Sequence, residues 1–158
     1  MRKTYKYIVF CLLLFICSSS YSQDASQFIV KAKKGDPVSQ MYLALCFNEG
    51  KGVEKNDSLA FYWYHRSAQK GLADAQVMLA KCYRDGVGTE KSDSLAFYWY
   101  ERASECNFTL ALDALGDCYR DGYYVKKDKD KAREYYVRAR DRGFKKAIYK
   151  IQAIDKGY

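Results

Sequence analysis

The sequence predicts an all-α protein made of stacked antiparallel helix pairs. Three observations carry this expectation. The chain copies itself at a spacing of about 36 residues, as in Gly35 and Gly71 or Leu43, Leu79 and Leu115. Within each copy, apolar and small residues recur at spacings of three and four, the period of one helix face. Among 158 residues there is one proline, so long helices meet few interruptions.

The repeat is detailed. The same spacing relates Cys46, Cys82 and Cys118, then Phe47, Tyr83 and Tyr119, then Gly50, Gly86 and Gly122, then Ala60, Ala96 and Ala132. Asn107 stands where the series Gly35, Gly71, Gly143 lacks a glycine, and Ser58 to Tyr64 recurs unchanged as Ser94 to Tyr100. A fixed period of this length marks a repeat architecture, in which each unit buries its apolar face against its neighbours. Three full units are expected at 35–70, 71–106 and 107–142, with half-units at 23–34 and 143–158 acting as capping helices.

Each unit divides into two helices. In the second unit the first helix is expected from about Asp74 to Arg84, with Ala75, Leu79, Ala80 and Tyr83 on one face. Gly86 should end it, because glycine takes the left-handed C-cap conformation without a Cβ penalty. Asp93 or Ser94 is the expected N-cap of the second helix, which should run to about Cys106 and place Ala96, Trp99, Tyr100 and Ala103 on its inner stripe. Trp63, Trp99 and Tyr135 are read as core residues. In the last half-unit, Ala147 and Ile151 take core places, while Gln152 and Asp155 give the outer helix a polar face suited to a solenoid end.

Residues 1–22 read as a cleavable signal peptide. Arg2, Lys3 and Lys6 form a basic start, Tyr7 to Cys17 an apolar run, and Ser20 and Ser22 are small residues where a signal peptidase reads, so cleavage is expected after Ser22. The apolar run is too short for a permanent span, and the expected compartment is the periplasm or the exterior. Lipid attachment at Cys17 is the weaker alternative, since Ile16 before it is not small. Loss of the leader would lower the formal charge of +8 by three. The remaining excess lies late, from Lys126 to Lys150, interrupted by acids, and reads as a solvated helix surface. Nucleic acid is not an expected partner of an exported chain.

The pattern Ala75-Gln76-x-x-Leu79-Ala80-x-x-Tyr83-x-x-Gly86-x-Gly88, followed by Asp93-x-x-Ala96-x-x-Trp99-Tyr100-x-x-Ala103, resembles the Sel-one-like repeat, a longer relative of the tetratricopeptide repeat. The resemblance covers about residues 24–158. It implies a right-handed superhelix and a role as a protein-binding scaffold or adaptor. The third unit departs from the pattern: Tyr123-Tyr124 replaces Val87-Gly88, Lys129 replaces Asp93, and Tyr135-Tyr136 replaces Trp99-Tyr100. Asp128 or Asp130 could still cap its second helix.

Four cysteines lie beyond the leader: Cys46, Cys82, Cys106 and Cys118. Stacked helices lie ~8–10 Å apart, beyond the ~7 Å Cα limit for a bridge, so equivalent places in successive units should not pair. Cys106 falls at the opposite end of a helix pair from Cys82. Secreted cysteine-rich members of the resembled family pair cysteines at a closer spacing, which is not found here. Buried packing residues are the reading that results.

Little chemistry is legible. Ser67-Ala68-Gln69-Lys70 matches a Ser-x-x-Lys element, and some secreted members of the resembled family carry a β-lactamase label. The accompanying Ser-Asp-Asn and Lys-Thr-Gly elements are absent, and Ser67 aligns with Ala103 and Ala139, a small core place. His65, the single histidine, aligns with Glu101 and Val137, which places it on an outer surface. Asp128-Lys129-Asp130 lacks the glycine and distal glutamate of a calcium loop. No cofactor, metal or catalytic residue is assigned. A secreted repeat protein with weak activity on cell-wall or β-lactam substrates remains the alternative function.

By analogy with tetratricopeptide repeats, the resemblance places a partner-binding groove on the first helices. Its residues would be Val38, Met41, Leu45 and Asn48 in the first unit, Asp74, Val77, Lys81 and Arg84 in the second, and Leu110, Asp113, Asp117 and Arg120 in the third. The groove would pass from apolar to charged and receive a peptide or protein of unknown identity. A monomer or weak dimer is expected.

Overall fold

The computed structural model describes residues 26–157. The expected leader lies outside the described residues. Within them the chain is helical throughout: α1 (26–33), α2 (Pro37–Glu49), α3 (Asp57–Gln69), α4 (Ala73–Asp85), α5 (Asp93–Ser104), α6 (Thr109–Asp121), α7 (Lys129–Asp141) and α8 (Ala147–Asp155). Helices α2/α3, α4/α5 and α6/α7 are the three pairs, and they stack in chain order into an α-solenoid.

Local chemistry repeats with the sequence. Gly50, Gly86 and Gly122 end the first helices at φ 71°, 70° and 74°, their N–H groups donating to the carbonyls of Cys46, Cys82 and Cys118. A second latch closes each turn: the N–H groups of Asn56, Ser92 and Asp128 donate to the carbonyls of Phe47, Tyr83 and Tyr119. Those same three residues are the N-caps of the second helices, their side chains accepting from the N–H groups of Leu59, Leu95 and Lys131. The cap is therefore Ser92, one residue before the Asp93 or Ser94 expected, and Asp128 caps the third unit in full register with the others. Because α5 ends at Ser104, Cys106 lies beyond it and is exposed.

Left-handed backbone recurs where units join. Gly35, Gly71 and Gly143 have φ 98°, 86° and 91°, and Asn107 takes the same region at 53°, a conformation its short polar side chain tolerates. Gly88 is demanded by space as well, since a Cβ there would lie 2.1 Å from the backbone oxygen of Asp57 in the preceding unit. Tyr124 occupies the equivalent place at φ 64°. Its ring packs on Phe97 at 5.6 Å, and the neighbouring Tyr123 hydroxyl donates to Asp93 Oδ1 at 2.6 Å. The third turn is thus held to the second unit by side chains.

The core runs along the stack as alternating small and large residues. Ala60, Ala96 and Ala132 are buried beside Tyr64, Tyr100 and Tyr136, which are the aromatic residues of the second helices at the centre of the packing. Trp63, Trp99 and Tyr135, expected there, are only half-buried and pack at the edges of the clusters. His65 is also half-buried, with its ring 6.0 Å from Phe61 and 6.2 Å from Trp99. It lies between units instead of on an open surface. Gln40 and Gln76 tie successive units together by donating their side-chain amides to the carbonyls of Ala32 and Ala68. Leu112 fills the same place in the third unit.

Candidate functional site: the cleft between α4 and α6

The first helices α4 and α6 border a cleft of about 520 Å³. Seven of the twelve positions expected in the groove line it: Val77, Lys81, Arg84, Leu110, Asp113, Asp117 and Arg120. Asp85, Lys91, Ala114, Asp121 and Tyr123 complete the walls, and Tyr100 and Cys118 reach in from the core. Val38, Met41, Leu45, Asn48 and Asp74 do not border it. Val38 is an exposed apolar residue near the N-terminal end of the stack, in a shallower depression with Phe28 and Tyr42.

Burial changes the expected roles. Val77 is 1% exposed and packs with Phe97, Tyr100 and Ala111, so it forms the closed floor of the cleft. Leu110 is the open apolar wall, at 39% exposure.

The charges of the cleft are largely paired. Arg84 donates from Nε and Nη2 to both oxygens of Asp85, at 2.8 and 2.9 Å, and from Nη1 to the Tyr100 hydroxyl at 3.5 Å. These hydrogen bonds hold the Asp85 carboxyl below the usual carboxylate range. Arg120 repeats the arrangement with Asp121 and the Tyr136 hydroxyl, and Asp121 is lowered for the same reason. The pattern of arginine, next-residue aspartate and buried tyrosine thus recurs at the repeat spacing.

Asp113 and Asp117 differ from the expectation. Lys150, on the last helix α8, donates to Asp113 Oδ1 at 2.7 Å and to both oxygens of Asp117 at 2.9 and 3.0 Å. Its ammonium also lies 5.1 Å from the centre of the Tyr136 ring. Tyr136 donates to Asp117 Oδ1 at 2.7 Å. Burial raises Asp113 above its ordinary value, against the opposing pull of Lys150. The acidic end of the groove is therefore satisfied within the chain, by Lys150, which the charge pattern alone places on a solvated surface.

The serine of the Ser-x-x-Lys element and the buried cysteines are held in the core. Ser67 is fully buried and donates from Oγ to the Pro37 carbonyl at 2.7 Å. Burial raises the thiols of Cys82 and Cys118 to about 11, which disfavours the thiolate a nucleophile needs. Cys46 is half-buried, and no disulfide joins the four described cysteines. Cys106, being exposed, is not the buried packing residue expected. Among the described residues no group of three or more His, Cys, Asp or Glu is placed to hold a metal ion.

The repeat geometry is matched by known proteins. The Sel1 repeat pattern matches residues 37–72, 73–108 and 109–144. The chain belongs to the Sel1 repeat family. Its structure is similar to that of a Sel1 repeat protein from Oxalobacter formigenes, at 29% identity and a TM-score of 0.77, covering 82% of this chain and 54% of that one. It is also similar to c5321, a protective antigen of uropathogenic Escherichia coli with an SLR fold, at 27% identity and a TM-score of 0.81, covering 87% of this chain and 30% of that one. Cysteine-rich protein B of Helicobacter pylori shares the fold at 19% identity and a TM-score of 0.66, covering 80% of this chain and 94% of that one. The chain thus spans about half or less of the first two relatives. None of the curated protein sequences matches it. Sel1 repeat proteins generally serve as scaffolds for protein–protein interaction and are typically non-enzymatic.

Proposed function

We propose that this Sel1 repeat protein is an exported, non-catalytic scaffold that binds a protein or peptide partner on the face formed by its first helices. The observation that carries this reading is the cleft between α4 and α6. It is concave, has an apolar wall at Leu110, and is bordered by side chains whose mutual pairing fixes their positions before any partner arrives. Preorganised groups lose little entropy on binding. Export is supported by the basic start, apolar run and small residues at Ser20 and Ser22. Among the described residues no helix is long and apolar enough to cross a membrane.

The test is co-purification of partners from the envelope fraction of the producing cell, with Leu110→Asp as the comparison. Leu110 is exposed near the start of α6, so an acidic residue there should leave the helix intact. A partner captured by the wild type and lost by Leu110→Asp is the expected result. A partner held equally by both places the binding face elsewhere.

A further inference from the structure

The charges lining the cleft do not cancel locally in equal measure. Every carboxylate there is hydrogen-bonded to a cation of the same chain: Asp85 to Arg84, Asp121 to Arg120, and Asp113 and Asp117 to Lys150. Three of the four lining cations are engaged as well. Arg84 and Arg120 are committed as above, while Lys91 lies 3.7 Å from Asp93 and 5.7 Å from the Tyr123 ring centre. Lys81 is the exception. It stands half-buried on α4 one turn before Arg84, and it forms no hydrogen bond or ion pair among the described residues, its charge reaching Asp85 only through space. Its counterpart in the third unit is Asp117, which a cation already satisfies.

We propose that this cleft receives a carboxylate from an acidic stretch of a protein partner, seated on the Lys81 ammonium, with a neighbouring aliphatic side chain of that stretch against Leu110 and Ala114. The inference rests on the concave-face reading and names the chemistry of the partner. An ammonium in a concave, partly dehydrated site interacts with an anion more strongly than one in open water. A basic segment would find no unpaired carboxylate, and would have to displace Lys150 or an arginine to gain one. The Arg84 and Arg120 guanidinium groups are neutralised by their own aspartates, which leaves Lys81 as the cation of the lining without a hydrogen-bonded or ion-paired carboxylate. The apolar wall supplies the second contact, since Leu110 is the exposed large aliphatic residue on that side.

Fluorescence anisotropy on the whole protein tests this with three labelled hexapeptides: an alternating leucine and glutamate sequence with an amidated end, its leucine and glutamine counterpart, and the glutamine peptide with a free terminal carboxylate. The acidic peptide should bind at least about tenfold more tightly than the neutral one, and more weakly as salt is raised. Binding of the free-ended glutamine peptide would identify a terminal carboxylate as a source. Lys81→Gln should cost about tenfold for the carboxylate-bearing peptides, and Lys81→Arg should retain them. Lys81 forms no hydrogen bond or ion pair among the described residues, so thermal midpoints should change little.

Equal binding of acidic and neutral peptides overturns the proposal. So does an unaltered Lys81→Gln variant, or no binding of any peptide at about 1 mM. If Leu110→Asp abolishes binding while Lys81→Gln does not, the concave face stands and the carboxylate site falls. If neither substitution alters binding of peptides that do bind, both readings fall.

Discussion

The Tyr136 ring lies against the bare α-carbon of Gly116. A Cβ built on Gly116 would sit 2.3 Å from Tyr136 Cε1 and 2.6 Å from Cδ1. The equivalent residues of the first two units are Ala44 and Ala80, both buried opposite Tyr64 and Tyr100. The third unit therefore brings its tyrosine closer to the first helix, where its hydroxyl meets Asp117 and Arg120 and its ring meets Lys150.

Gly116→Ala should consequently destabilise the protein, although alanine is the better helix former and occupies this place elsewhere in the chain. Overpacking costs about 1–3 kcal/mol, which exceeds the ~1 kcal/mol gained in helix propensity. Thermal or urea denaturation should show a lowered midpoint. An unchanged or raised midpoint would mean that the Tyr136 ring can withdraw.

Lys150 fastens α8 to α6 through two half-buried carboxylates. Its removal leaves Asp113, at 17% side-chain exposure, without its hydrogen-bonded cation. Lys150→Gln should therefore cost about 1.5–3 kcal/mol, the range for hydrogen bonds to charged groups. Adding Asp113→Asn should recover part of that loss, because the stranded charge is gone. A double-mutant cycle by urea denaturation measures both. Additive losses would show that lysine and aspartate are not coupled.

Alkali should weaken the fold in a defined window. Burial raises Cys82 and Cys118 from 9.0 to about 11, and Tyr100 from 10.0 to about 12. Between pH 9 and pH 11 the unfolded chain has released thiol protons that the native chain retains. Stability must then fall as pH rises, because the native state binds more protons. Tyr64 and Tyr136, also raised by burial, extend the effect upward. Urea midpoints should decline steadily above pH 9, and native-state alkylation at pH 8 should reach exposed Cys106 well before Cys82 and Cys118. Equal alkylation rates would contradict the burial described.

Much of the fold is legible because the repeat aligns residues with equal duties. The glycine caps at 50, 86 and 122 were visible in this way, and so was the asparagine that replaces a left-handed glycine at 107. The N-cap lies one residue earlier than the sequence suggests, since Ser92, Asp93 and Ser94 are all acceptable caps by type and only the latch to Tyr83 selects the first. The analogy with tetratricopeptide repeats puts Val77 on the open face, whereas the structure buries it. A helix inside a solenoid is covered by its own partner and by the next unit, which widens its buried arc.

The sequence by itself determined the repeat length, the number of helix pairs, the glycine C-caps and the small residues of the core. Each of these depends on residues close together in the chain or on the repetition itself. Only the tertiary structure decided which charges in the groove are already satisfied. Lys150 lies 37 residues from Asp113 and 33 from Asp117, on a half-unit whose partner helix does not follow within the described residues. That pairing exists because stacking brings α8 against α6. Its counterpart one unit earlier is Ala114 facing Lys81, where no ion pair forms, and this difference between successive units sets the character of the cleft.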